Sequence, residues 1–138
     1  MRRVVSSIVL LGLALGLFGT VACDPEFGRV SLHQLRATPE AELGAQGIVV
    51  PEGGVLVFEA QPRAAEGSRD YVGFERFEMR PSDSRKVEVR RSIVRDVWVV
   101  NGVESGSTAL QVLIDGDVVD TIPVDVVVGT ATQSEEDR

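Results

Sequence analysis

The sequence predicts an all-β fold, and three observations carry that prediction. From Gly47 onward, short valine-rich runs alternate with clusters of Gly, Pro, Ser and Asp, a spacing that suits a sandwich or a barrel. Over the same stretch no apolar stripe persists at helical i, i+3, i+4 positions. Finally, Lys86–Arg91 alternates cleanly, with Val87 and Val89 on one side and Lys86, Glu88 and Arg90 on the other. The 138 residues suffice for one domain. A single cysteine excludes an internal disulfide, so the domain is held by burial alone.

The N-terminal element is not part of that fold. Arg2 and Arg3 precede an apolar core from Ile8 to Phe18, then the short residues Thr20, Val21 and Ala22, then Cys23. This is the three-part build of a secretory signal. Two competing readings are an ordinary signal peptide followed by a free thiol and a retained membrane helix. Val4 to Ala22 gives only 19 uncharged residues, barely a bilayer span. Three glycines weaken it as a helix, and Asp24 and Glu26 follow where a positive stop-transfer cluster would stand. Thr20-Val21-Ala22-Cys23 resembles the lipobox of bacterial lipoproteins, in which a small residue precedes an obligatory cysteine. The resemblance implies a diacylglycerol thioether on Cys23, an acyl group (palmitate) on its new α-amine, and a membrane partner held through those chains. Asp24 leaves the choice of inner or outer membrane open.

Residues 1–22 are thus expected as signal peptide, 23–46 as lipidated cysteine and tether, 47–129 as the folded domain, and 130–138 as a polar disordered tail. In the tether, Val30, Leu32 and Leu35 suit a short strand or a loosely packed arm. Thr38-Pro39-Glu40-Ala41-Glu42 reads as the start of a short helical turn, with Thr as cap and Pro at the first position.

Seven strands follow. Gly47–Val50 is stopped by Pro51-Glu52-Gly53-Gly54, and Val55–Ala60 puts Leu56, Phe58 and Ala60 on one face. Gln61–Ser68 is a polar loop. Tyr71–Met79 changes phase between Phe74 and Phe77, which calls for a bulge or bend. Lys86–Arg91, Asp96 or Val97 to Val100, Ser107–Ile114 and Val118–Val128 complete the set. In the last pair, a two-residue type I′ turn at Asp115-Gly116 would set Leu110 and Ile122 on opposite faces. A three-residue loop, Asp115-Gly116-Asp117, pairs Leu110 with Ile122 and is the favoured reading, since a one-residue slip inverts every side chain. Asp120 then lies near Val112 and needs a bulge or an open sheet end to free it. Pro123, lacking a donor, suits an edge strand.

The order of features is similar to the group 2 bacterial immunoglobulin-like domains over residues 46–129. The similarity rests on Pro51-Glu52-Gly53-Gly54 before a strand, Asn101-Gly102, Gly106-Ser-Thr-Ala-Leu-Gln-Val112 and a valine-rich last strand. That family often has Trp-x-Ser-Ser-Asp in its middle strand, where Phe77–Asp83 keeps the Ser-Asp and lacks the Trp; Trp98 stands elsewhere as a core or half-buried anchor. The resemblance implies an immunoglobulin-like β-sandwich of about seven strands behind the lipoprotein signal helix.

Charge and residue inventory narrow the function. Removing residues 1–22 leaves 12 positive against 21 negative groups, a net charge of −9, which repels nucleic acid. His33 is the only histidine and lies outside the predicted domain, so neither a Ser–His–Asp nor a Cys–His arrangement is expected. No cofactor and no small-molecule substrate are expected. Asp115, Asp117 and Asp120 are the candidate cation ligands, set against a plain hairpin loop. Arg85, Lys86, Arg90 and Arg91 belong to a run that holds 6 of the 12 mature positive charges. They are either an outward face paired with acids or a patch for anionic headgroups or cell-wall polymer. The expected role is a non-enzymatic envelope lipoprotein contacting a protein or polysaccharide, the alternative a spacer or assembly subunit without a ligand.

Overall fold

The computed structural model describes residues 26–65 and 76–129. Among them nine strands form: β1 Phe27–Ala37, β2 Glu42–Gly44, β3 Gly47–Pro51, β4 Val55–Ala64, β5 Phe77–Pro81, β6 Val87–Arg91, β7 Val97–Gly102, β8 Gly106–Ile114 and β9 Asp117–Val127. One sheet runs β1-β4-β7-β6 and the other β2-β3-β9-β8-β5. With β1 and β4 to β9 read as strands A to G, the layers are A-B-E-D against C-F-G, the immunoglobulin arrangement. β3 lies parallel to β9, and β2 pairs with β3 at the end of the second layer.

Alternation in the sequence becomes the core. Leu56, Phe58 and Ala60 of β4, Val87 of β6 and Trp98 and Val100 of β7 point inward from one layer. Ile48, Val50, Phe77, Met79, Leu110, Val112, Ile122, Val124 and Val126 meet them from the other. The Phe77 and Trp98 rings touch edge to face, 5.9 Å apart, across the two layers. Phe58 is fully buried, and truncating such a side chain costs about 3–5 kcal/mol. No polar or charged residue is buried among the described residues.

At one end the layers are tied by the Pro51–Gly54 turn. Glu52 N–H donates to the Val127 carbonyl of one sheet at 2.8 Å, and Gly53 N–H to the Gly102 carbonyl of the other at 3.0 Å. Gly102 has to be glycine, because a Cβ there would run into the Pro51 carbonyl. The Glu52 carboxylate also accepts from Ser105 N–H at 2.6 Å. The Ser105 hydrogen bonds hold that carboxyl below its ordinary range.

The seven predicted strands are β3 to β9, but the folded domain starts earlier than residue 47. Of the residues expected in the tether, Phe27–Ala37 form β1 and Glu42–Gly44 form β2. β1 pairs with β4 along its whole length, and Val30 and Leu32 pack on the core. Its pattern was weak because it is an edge strand with only those few inward contacts. β4 likewise continues through residues 61–64, expected as loop, because they pair with β1. The helical turn at Thr38 is absent. The Thr38 hydroxyl, read as a helix cap, instead accepts from Val55 N–H at 2.9 Å and clips β1 to the start of β4; Glu40 takes a left-handed φ of 68°. The leader with Cys23, the tail 130–138 and the phase change before Phe77 lie outside the described residues.

The last hairpin corrects the favoured loop and keeps its register. Asp115 and Gly116 form a two-residue turn with φ of 55° and 89°, and Ile114 pairs with Asp117. Both dihedrals are left-handed, as a type I′ turn requires. A bulge between Val112 and Leu113 leaves Val119 as the extra residue, so Leu110 still faces Ile122 and Asp120 stands opposite Val112, exposed. Pro123 is not on an edge: β9 lies between β3 and β8. It is tolerated because its partner Ala109 gives its carbonyl to Ser82 N–H of the β5 side at 2.8 Å. The pair therefore exchanges no hydrogen bond. The missing N–H faces β3, whose pairing begins one residue later at Val124.

Candidate functional site

Local geometry separates the residues that the sequence grouped. Arg85 precedes β6 and grips Asp83 with two hydrogen bonds, at 3.0 and 3.1 Å. This pairing holds the Asp83 carboxyl below its ordinary range and raises the Arg85 guanidinium. Lys86 donates from Nζ to the Ser105 carbonyl at 3.2 Å. Arg90, near the other end of β6, pairs with Glu88 at 2.9 Å. Arg91 has the inward parity of Val87 and Val89. Its guanidinium lies 5.0 Å over the Trp98 ring and donates to the Phe77 carbonyl on the opposite sheet. The four residues do not share one patch: two sit at one end of β6 and two at the other, where Arg91, itself exposed, lies over the Trp98 ring at the margin of the core.

The carboxylates of Asp115, Asp117 and Asp120 do not converge on a cation either. Asp115 is held bidentately by Arg76, and Asp120 accepts from the adjacent Thr121 N–H at 2.8 Å. Among the described residues no group of three His, Cys, Asp or Glu side chains is placed to hold a metal. His33 is exposed on β1, opposite Glu59. A depression of about 270 Å³ beside β2 and β3, lined by Glu42, Val49, Pro123 and Asp125 among others, is shallow and open, below the usual size of a small-molecule cleft.

Two features were not anticipated. The first is the edge of β1. No strand pairs with its outer side among the described residues, and residues 29–36 offer a long run of edge backbone. Arg29, His33 and Arg36, and the irregularity between Gln34 and Arg36, blunt that edge. Leu35, at the irregularity, is 44% exposed. The signal missed in the sequence was the alternation of Val30 and Leu32 with polar residues, which reads as an arm unless a partner strand is known.

The second is the β6–β7 loop, Ser92 to Asp96. Ser92 N–H donates to the Val97 carbonyl at 2.8 Å, Val94 N–H to Ser92 Oγ at 3.1 Å, and Asp96 takes a φ of 64°. This tight frame turns Ile93 fully into solvent and leaves Val94 58% exposed. Two adjacent β-branched apolar residues in a turn, where polar residues and glycine prevail, were the available signal.

No protein-family model matches the chain, and no curated protein matches it significantly. Solved structures do. Domains 1–6 of the surface layer protein SbsC align with 77% of this chain at 21% identity and a TM-score of 0.51. A longer structure of the S-layer protein, rSbsC(31-844), aligns with 77% at 19% identity and 0.52. In each case this chain spans 14% of the other's length. Domains 5–6 of the same protein align at 21% identity and 0.51. These likenesses establish a shared β-sandwich fold.

Proposed function

We propose that the chain is a non-enzymatic lipoprotein of the bacterial envelope, tethered through acylated Cys23, whose single group 2-like immunoglobulin domain contacts a protein or polysaccharide. The observation that carries the contact reading is the unpaired outer side of β1 over residues 29–36. A sheet edge accepts an added strand through main-chain hydrogen bonds, with side chains setting specificity. Guarding charges at Arg29 and Arg36 favour one fitted partner over indiscriminate pairing. The likeness to surface-layer domains supports an envelope setting, and the leader supports the anchor. The spacer reading is the alternative: the depression beside β2 and β3 is small, and among the described residues no three His, Cys, Asp or Glu side chains are placed to hold a metal.

A photoreactive residue placed at Leu35 tests this in intact envelopes. The expected result is a discrete crosslinked adduct from position 35 and none from Val103, which follows β7 at the opposite end of the domain. Absence of an adduct from position 35 favours the spacer.

A further inference from the structure

Three structural facts place the start of β1 and the β6–β7 loop at one pole of the sandwich. Phe27 pairs with Ala64, the last residue of β4. Four residues back along β4, Ala60 N–H donates to the Asp96 carbonyl of the loop at 2.8 Å. Four strand residues rise about 13 Å. Cys23 lies four residues before Phe27, a span of at most about 14 Å. The tether is thus far shorter than residues 23–46, and whatever holds Cys23 also holds this pole.

The loop at that pole is built as an apolar tip with a cationic collar. Ile93 projects its whole side chain and Val94 more than half of its own. Arg90 and Arg95 flank them in the chain, with side chains 72% and 71% exposed; Arg90 pairs with Glu88 at 2.9 Å, and Arg95 lies 3.9 Å from Asp96. An apolar tip ringed by guanidinium groups matches the bilayer interface, where acyl chains lie just beneath phosphates. Isolated exposed apolar residues are ordinary on protein surfaces. Here the two are consecutive, fixed outward by the turn, and at the pole from which the expected anchor departs.

We propose that the Ser92–Asp96 loop is a second membrane contact: the domain leans toward its β6 side, Ile93 and Val94 enter the lipid interface, and Arg90 and Arg95 engage lipid phosphates. The inference rests on the lipoprotein reading of Cys23. It fixes the orientation of the domain, with the Pro51–Gly54 turn and Val103 farthest from the bilayer and the β1 edge standing beside it, open to a partner.

The test uses the full chain, processed in a bacterial host and transferred to nanodiscs of phosphatidylethanolamine and phosphatidylglycerol. Ile93→Cys and, as a control, Val103→Cys carry a nitroxide label; both side chains are exposed, so neither exchange disturbs the core. The expected ratio of collisions with oxygen to collisions with a water-soluble nickel chelate is several-fold higher at position 93 than at 103. Equal ratios in protein that stays with the nanodisc overturn the loop contact and leave the anchor standing. A label at 93 shielded from both reagents means a protein covers the tip and also overturns it. If the parental chain itself takes up label, Cys23 is a free thiol, and the anchor and the loop contact fall together.

Discussion

Arg91 carries more of the fold than its place in a basic run suggests. Its neighbour Arg90 reaches only Glu88 on the same strand, with both side chains exposed, and exposed pairs of that kind contribute about 0–1 kcal/mol. Arg91 spans the two layers, stacking on the Trp98 ring and donating to the Phe77 carbonyl. A cation over an aromatic face adds about 0.5–2 kcal/mol, and a charged hydrogen bond about 1.5–3. Arg91→Ala is therefore expected to lower unfolding stability in urea by about 2 kcal/mol. Arg91→Lys should recover a minority of that loss, since an ammonium lacks the planar fork. Arg90→Ala should change stability by less than about 1 kcal/mol. Equal losses for Arg90→Ala and Arg91→Ala would show that the cross-layer contact contributes nothing. In the sequence Arg91 groups with an outward basic face, although it shares the parity of Val87 and Val89; what it touches was not legible, because Trp98 and Phe77 reach it from two other strands.

Among elements, the β8–β9 hairpin shows what parity arguments resolve. The apolar sets of the two strands required Leu110 opposite Ile122, and they are so paired. Local turn chemistry required a two-residue Asp-Gly turn, and that too is present. The two demands conflict by one residue, and the chain meets both by looping out Val119. Choosing a longer loop resolved the conflict at the turn, whereas the structure resolves it two residues into β9. Deleting Val119 should then yield an unbroken hairpin with the Leu110–Ile122 register intact. The cost should be the packing of one half-buried valine, about 1–2 kcal/mol. Nuclear Overhauser contacts between β8 and β9 would check this; a register shifted by one residue beyond position 120 would contradict it. β1 presents the opposite case. Few inward residues and a late irregularity hid a strand that is defined by its partner, β4. The Thr38 hydroxyl misled for a related reason, since the N–H it accepts from is that of Val55, 17 residues away, and not that of a helical turn.

For the whole molecule, seven strands and their inward faces were readable because each buries a period-two apolar set. Their assembly into the A-B-E-D and C-F-G layers follows from pairings between distant segments, which residue spacing alone does not specify. The candidate surfaces were less legible still. The basic run looked like one patch in sequence, yet β6 distributes it between its two ends. The apolar tip at Ile93 became meaningful only when the β1–β4 pairing put it at the pole from which Cys23 departs. The proposed orientation and the proposed lipid contact both depend on the chemistry of that cysteine. The most direct measurement is therefore the intact mass of the N-terminal peptide of the mature protein. A peptide beginning at Cys23 and carrying a diacylglyceryl group with an acylated amine is the expected result, whereas an unmodified thiol at position 23 would contradict the anchored domain outright.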